Sequence, residues 1–182
     1  MKGSNYRYTL YEEQKSDHTP RMQDPNKLLK SINILVVDDM EAIRSMIKAC
    51  LRQMGATRVI ATYNGDAAWH ILEKHRVDMI VCDWDMPKVT GIELLQKVRS
   101  KDTTRHIPFL MLTASIDKKR VLKAVELGVN DYLSKPFQPK ELEYRVLKLL
   151  RKVNLNPIIP EKSDTQRADN QEQSTDSGAA DK

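Results

Sequence analysis

Long apolar runs, cysteines and aromatic side chains are all scarce in this 182-residue chain. No window approaches the run of about 18 apolar residues that a membrane-spanning helix requires, so we expect no membrane span. Residues 1–11 lack the apolar stretch of a secretory signal, which makes the cytoplasm the expected location. The two cysteines, Cys50 and Cys82, and the four scattered histidines have no spacing typical of a metal or redox site.

An excess of one charge is also lacking. The 30 Lys and Arg residues nearly balance the 25 Asp and Glu residues, leaving a net charge of +5. The basic residues form no stripe and have no interleaved aromatic side chains, so we expect no nucleic-acid partner.

What the chain does have is an alternation of short apolar runs with segments of helical period. The first run covers residues 34–37, and the apolar positions after it have the spacing of one helix face and end at Gly55. Four similar pairs follow, with apolar runs at residues 59–61, 79–82 and 109–112 and a short fifth strand at residues 131–133. Such strands indicate a parallel sheet covered on both faces. With right-handed crossovers, they predict an α/β fold with a doubly wound five-stranded parallel sheet, flavodoxin-like, of order 2-1-3-4-5.

Local signals mark several helix ends. Asp66 and Asp117 precede helical segments and are expected to cap them, while Asn64 and Gly65 are interpreted as a turn. A helix before Gly128 is expected to stop at that glycine.

The two ends of the chain differ in composition from residues 31–153, which form the predicted domain. Residues 1–30 contain Pro20 and Pro25, many polar side chains and no sustained period, so we expect a flexible N-terminal arm. The alternative is a docked strand, because the positions of Tyr6, Tyr8, Leu10 and Tyr11 resemble those of a short strand. Residues 154–182 are rich in polar and charged side chains and are expected to form a disordered tail.

Four carboxylates fall just beyond two of the apolar runs. Asp38 and Asp39 come after the first run, and Asp83 and Asp85 come after the third. The 2-1-3-4-5 order makes these strands neighbours, so the acids are expected to converge at one edge of the sheet. A hard dication would relieve their repulsion, and Mg²⁺ is the expected cofactor. An alternative for Asp38 and Asp39 alone is that they cap the following helix.

Two more side chains follow the same positional rule at the ends of the fourth and fifth strands. Thr113 could donate a hydrogen bond to a phosphate oxygen, and Lys135 could neutralise phosphoryl charge. Phosphoryl transfer depends mainly on positioning and charge stabilisation, which these groups and a dication would provide. A carboxylate would then attack as the nucleophile and form an aspartyl phosphate. Taken singly, Thr113 is a common strand-end residue and Lys135 a common surface charge.

Four segments together resemble one known family: residues 34–39, residues 83–87 with Gly91, residues 112–114 and residues 132–137. They resemble the receiver family of response regulators over about residues 31–153, and its stand-alone chemotaxis members in particular. The resemblance implies that Asp83 is the phosphoacceptor. It implies that Asp38 and Asp39 are the acid pair, and that Asp85 coordinates the metal through its main-chain carbonyl.

The same resemblance assigns the remaining site residues. Lys135 would contact the phosphate and precede a cis Pro136. Thr113 and Tyr132 would form a switch pair. Phosphorylation would draw the threonine hydroxyl toward the phosphate, and the tyrosine ring would turn inward behind it.

The expected function is therefore that of a phosphorylation-activated response regulator. Its phosphoryl group would come from a histidine kinase, and chemotaxis is the favoured pathway. It would signal to a separate target protein through the fourth helix, the fifth strand and the fifth helix. Residues after 153 are too few and too polar for a DNA-binding output module. We expect a switch that assists its own phosphorylation and dephosphorylation, and not an enzyme in the ordinary sense.

Two alternatives come from other functional classes. The pair Asp83 and Asp85 resembles the DxD nucleophile motif of haloacid-dehalogenase-type phosphatases. That family places the motif after its first strand and usually has Thr or Val where this chain has Pro87. The second alternative is a binding module that is never phosphorylated, although the intact acids, Thr113 and Lys135 argue against it.

Overall fold

The computed structural model describes residues 25–115 and 117–154, which form alternating strands and helices. The strands are β1 (Asn33–Val37), β2 (Arg58–Thr62), β3 (Met79–Asp83), β4 (Phe109–Thr113) and β5 (Asp131–Ser134). The helices are α1 (Pro25–Leu29), α2 (Glu41–Gln53), α3 (Gly65–Lys74), α4 (Gly91–Ser100), α5 (Lys118–Glu126) and α6 (Pro139–Asn154). Because α1 precedes the first strand, the fourth and fifth helices of the predicted alternation are α5 and α6.

All five strands are parallel and lie in the order β2-β1-β3-β4-β5, so the predicted fold class and strand order are confirmed. Every residue of β3 and β4 is buried, whereas the edge strand β2 is mostly half-buried. Continuous apolar strands at the centre of the sheet need cover on both faces, which explains why these runs showed no polar alternation.

Successive side chains of each central strand enter two separate cores. Leu35, Ile80 and Met111 pack on the face covered by α3 and α4, with Ala124 of α5. The residues next to them in the chain pack on the opposite face with α1, α2 and α6. This arrangement follows from the two-residue period of a strand, whose successive side chains point to opposite faces of the sheet.

One predicted cap is wrong and one is confirmed. The side chain of Asn64, and not of Asp66, caps α3 by accepting a hydrogen bond from the Ala67 N–H at 2.8 Å. Asp66 instead lies in the first turn of that helix, where a carboxylate favours the positive end of the helix dipole. Asp117 caps α5 as predicted, accepting from two backbone N–H groups.

The predicted helix ends at Gly55 and Gly128 are confirmed, since both residues adopt the positive φ that favours glycine after a helix. The two cysteines are buried and unpaired. Across the described residues, every helix is too short or too polar to cross a lipid bilayer.

The N-terminal boundary differs from the prediction, which placed residues 25–30 in the flexible arm. Residues 25–29 form α1, and Leu29 is fully buried in the core between α1, α2 and α6. The Lys30 carbonyl then accepts a hydrogen bond from the Thr57 hydroxyl at 2.9 Å. A single helical turn is too short to show a period in the sequence, which is why α1 escaped notice. The rest of the predicted arm and the predicted tail after Asn154 lie outside the described residues.

Substituting Leu29 tests whether α1 belongs to the domain. We expect Leu29→Ala to lower the free energy of unfolding by about 2–5 kcal/mol, because it leaves a cavity in a packed core. Urea denaturation would measure the change. Lys27→Ala in the same helix is the control, since Lys27 is exposed and its loss is expected to stay within about 0.5 kcal/mol. Equal, small effects of both substitutions would contradict the packing of α1.

Candidate functional site

Three carboxylates meet where β1 and β3 end. These strands are direct neighbours, with Val37 paired to Cys82, so the residues that follow them share one edge of the sheet. Carboxylate oxygens of Asp38, Asp39 and Asp83 all lie within 4.8 Å of one another. Asp38 is fully buried and Asp83 nearly so, whereas Asp39 is exposed. The predicted convergence of acids is confirmed for these three residues.

The side chain of Lys135 bridges the two buried acids. Its Nζ lies 2.7 Å from Asp38 Oδ2 and 3.0 Å from Asp83 Oδ1. The backbone positions Lys135, because its N–H, just past β5, donates at 2.7 Å to the carbonyl of Thr113, the last residue of β4. The peptide bond between Lys135 and Pro136 is cis, as expected.

Burial and the ion pairs act in opposite directions on these groups. Burial raises the pKa of the Asp83 carboxyl, and the contacts with Lys135 reduce this effect only in part, so the pKa stays above its usual value. Burial alone would lower the pKa of Lys135, but its bonds to Asp38 and Asp83 outweigh burial and raise the pKa. The cluster therefore brings three acidic side chains together with one lysine.

The loop after β1 is held by contacts that exclude the simpler interpretation of its acids as helix caps. The residue that precedes α2 is Met40, whose side chain makes no capping hydrogen bond. The Asp38 carboxylate accepts from the Met40 N–H at 2.9 Å instead. Arg44, which the sequence did not single out, donates to the Asp38 and Asp39 carbonyls at 2.7 and 2.9 Å. These contacts fix the loop while leaving the Asp39 carboxylate exposed.

Thr113 and Tyr132 lie on adjacent strands. The Thr113 side chain is buried, and its hydroxyl donates to the Ser115 carbonyl at 2.8 Å. Tyr132 pairs with Met111 in the register, two residues before Thr113, so both side chains point to the same face of the sheet. Tyr132 is half-buried against the core on that face. Their placement on one face of adjacent strands suits a switch pair, and the switch itself stays a prediction.

The fourth predicted acid does not join the cluster through its carboxylate. Asp85 is exposed, and its Oδ2 lies 2.7 Å from Nη1 of Arg120 in α5. The expected convergence of four carboxylates is therefore wrong for Asp85, because its carboxylate pairs with an arginine of α5 instead. Sequence reasoning missed Arg120, since a basic residue on an exposed helix resembles ordinary solvated charge. Metal coordination by the main-chain carbonyl of Asp85 stays a prediction.

The donor set fits a hard divalent cation. Carboxylate oxygens are the ligands that Mg²⁺ takes from proteins, usually from a few acids together with water and phosphate oxygens. Asp38, Asp39 and Asp83 provide such oxygens at an edge that is partly open to solvent. One lysine cannot balance three carboxylates, so the cluster retains negative charge for a dication.

A family model described as a response regulator receiver domain matches residues 34–147, which is more than half of the chain. The chain belongs to the response-regulator receiver family. Each of the four segments that suggested this family includes a residue at the edge of the sheet where the acids meet.

Several known receivers are similar to this one. The chemotaxis protein CheY of Pseudomonas aeruginosa is 37% identical over 123 residues, which cover 68% of this chain and 99% of that protein. The chemotaxis response regulator CheY4 of Vibrio cholerae gives a TM-score of 0.62 at 30% identity and covers 65% of this chain and 98% of that one. A receiver domain of a sensor histidine kinase from Pseudomonas aeruginosa, with magnesium coordinated in its active-site cleft, gives a TM-score of 0.60 at 30% identity, covering 65% of this chain and 97% of its own.

Fold and family together exclude the phosphatase alternative. In this receiver Asp83 ends β3, the third strand, whereas the haloacid-dehalogenase-type motif follows a first strand. The Asp85 side chain, which would be the second acid of that motif, pairs with Arg120.

The raised pKa of Asp83 predicts how its substitution affects stability. Ionisation of this carboxyl opposes folding, because the folded protein binds its proton more tightly than the unfolded chain does. We therefore expect Asp83→Asn to raise the urea midpoint at pH 7 in the presence of a chelator. The gain should shrink as the pH falls through the raised pKa and vanish below the ordinary aspartate value of about 4.

Asp102→Asn is the matched control for this substitution, because Asp102 is an exposed acid in the loop between α4 and β4. Its urea midpoint is expected to stay near that of the wild type at every pH. A lower midpoint for Asp83→Asn at pH 7 would show that the charged carboxyl stabilises the fold.

Proposed function

We propose that this receiver is a phosphorylation-activated response regulator that takes a phosphoryl group from a histidine kinase onto Asp83. The observation that carries the proposal is the contact of Asp83 with Lys135 beside the Asp38 and Asp39 carboxylates. Both hydrogen bonds of the Asp83 carboxylate, from Lys135 and from its neighbour Trp84, use Oδ1. Among the described residues, Oδ2 makes no hydrogen bond, so this oxygen is available to attack.

The transfer needs few groups. A carboxylate oxygen of Asp83 attacks the phosphorus of the kinase phosphohistidine, the P–N bond breaks, and its electron pair stays on the imidazole. We assign Asp38, Asp39 and Asp83, with the main-chain carbonyl of Asp85, to hold Mg²⁺. When bound, the ion supplies positive charge that stabilises the transferring phosphoryl group. Lys135 supplies a further positive charge and keeps the Asp83 carboxylate in place.

The signal would leave the site through Thr113. Among the residues that the structure describes, its hydroxyl bonds only to Ser115 in the adjoining loop, so it can exchange that bond for one to a phosphoryl oxygen. That movement would vacate space beside β5, which the half-buried ring of Tyr132 can enter. We propose this pair as the switch that carries phosphorylation from the site to the surface.

We propose the face formed by α5, β5 and α6 as the surface that binds a separate target protein. It carries three large apolar side chains that are more than half exposed: Leu122, Val125 and Tyr144. Lysines of the same helices are exposed as well, and exposed apolar side chains among charged ones are typical of a protein-binding surface. Chemotaxis is the pathway we propose, since relatives named as chemotaxis proteins match nearly their whole length. On the sequence grounds given above, we propose a cytoplasmic location.

Phosphorylation by a small phosphodonor tests the acceptor. We expect acetyl phosphate with Mg²⁺ to add one phosphoryl group to the wild type, detected by intact-protein mass spectrometry. Asp83→Asn should lower the yield by on the order of 100-fold or more, because the nucleophile is lost. Asp102→Asn is the control and should be phosphorylated like the wild type. An unchanged yield in Asp83→Asn would refute the acceptor assignment, and no modification of the wild type would favour the binding-module alternative.

The switch has a separate test that uses beryllofluoride, a phosphoryl analogue. In the wild type with Mg²⁺, we expect beryllofluoride to change hydrogen exchange in α5 and β5. Thr113→Val should still bind the analogue, seen as a change in Trp84 fluorescence, but should lose most of the exchange response because the hydroxyl is gone. Thr103→Val, at an exposed turn, should respond normally. A full response in Thr113→Val would contradict the switch.

A further inference from the structure

The first turn of α5 reaches the loop that follows the acceptor. Asp117 caps the helix by accepting hydrogen bonds from the backbone N–H groups of Lys119 and Arg120 at 2.7 and 3.2 Å. The cap fixes the backbone at Arg120. The side chain of Arg120 then extends toward the loop between β3 and α4.

Three groups hold the guanidinium of Arg120 in this position. Nη1 lies 2.7 Å from Asp85 Oδ2. The Cζ atom lies 5.3 Å from the centre of the Trp84 ring, within cation–π range. Nε lies 4.0 Å from Asp117 Oδ2. A guanidinium held at a carboxylate and over an indole ring is better fixed than a solvated surface arginine.

The contact with Asp85 bears on the acidic cluster because Asp85 is only two residues from Asp83. Asp85 follows the same strand as Asp83, and the sequence predicted its carboxylate at the same edge of the sheet. Its exposed carboxylate is paired with Arg120, whereas the other three acids lie within 4.8 Å of one another. Without Arg120, the Asp85 carboxylate would be free to turn toward the cluster and add a fourth negative charge.

We propose that Arg120 is a positioning residue for the phosphoryl-transfer site. From α5 it binds the Asp85 carboxylate and so keeps a fourth negative charge away from the three acids. The inference rests on the proposed function, since it assumes that the cluster binds Mg²⁺. Arg120 contacts none of the three acids in the cluster and acts on them only through Asp85. It thereby sets how tightly the site holds its cation.

Removing Arg120 should therefore tighten Mg²⁺ binding. Arg120→Met keeps the length and helix propensity of the side chain but loses its charge and hydrogen bonds. A unit charge freed within several ångströms of a dication, at the edge of the protein, is expected to strengthen binding roughly three- to tenfold. Arg120→Lys keeps the charge and should stay within about twofold of the wild type, because the ammonium still attracts Asp85.

The experiment is a Mg²⁺ titration of the chelator-treated full chain, followed by Trp84 fluorescence, in a double-mutant cycle with Asp85→Asn. The tightening by Arg120→Met should disappear in the Asp85→Asn background, where no carboxylate remains to be freed. A long-range effect of the lost charge would persist in that background. A loss of helix stability would also act in both backgrounds, and urea denaturation would detect it.

Arg76→Met is the matched control. It removes the same charge and an Arg–Asp ion pair, since Arg76 Nε lies 2.8 Å from Asp78 Oδ1 just before β3, at the opposite end of the strand from Asp83. Its Mg²⁺ midpoint should equal that of the wild type.

Two results would overturn the inference while leaving the proposed function intact. One is an equal Mg²⁺ midpoint in the wild type and Arg120→Met. The other is an equal tightening of Mg²⁺ binding by Arg120→Met in the wild-type background and in the Asp85→Asn background. A wild type that shows no response to Mg²⁺ would refute the metal assignment in the proposed function, and with it this inference.

Discussion

The ammonium of Lys135 lies between two buried carboxylates, and the arrangement of the site depends on that contact. Asp38 and Asp83 end neighbouring strands and are both removed from water, which would be costly without a partner of opposite charge. Lys135 reaches both, at 2.7 and 3.0 Å. Its position in turn requires β5 to lie beside β4, since its N–H is bonded to the Thr113 carbonyl. The site is therefore held together across four strands of the sheet.

Neutralisation by one lysine is incomplete, and this incompleteness suits the proposed chemistry. Three acids share one ammonium, so the cluster keeps a net negative charge that favours a dication. The three acids differ in burial, and this difference suits them to different roles. Asp38 is enclosed and bonded to Lys135 and the Met40 N–H, whereas Asp39 stays exposed to incoming ions. The Asp83 carboxyl lies between these extremes, buried yet with one oxygen free of hydrogen bonds among the described residues.

The helix α5, which lies next to the site, buries few side chains. In α5 only Ala124 is buried, whereas α4 buries five residues. A helix with few buried contacts can shift at low cost in free energy. The contacts at its N-terminal end, from Arg120 to Asp85 and Trp84, join it to the loop that follows the acceptor. The same helix presents exposed apolar side chains to solvent. Its loose packing and its link to the site make α5 suited to report changes there.

The periodicity of the sequence determined the strands, the long helices and their order, because each depends on local pattern and on the general handedness of crossovers. The same logic placed Asp38, Asp83, Thr113 and Lys135 at one edge, since parallel strands end together. Only the tertiary structure revealed α1, a single turn whose stability comes from burying Leu29. It alone also decided the direction of the Asp85 carboxylate, because the partner Arg120 lies 35 residues away. An exposed side chain turns toward whichever opposite charge the fold brings near, and no local pattern encodes that choice.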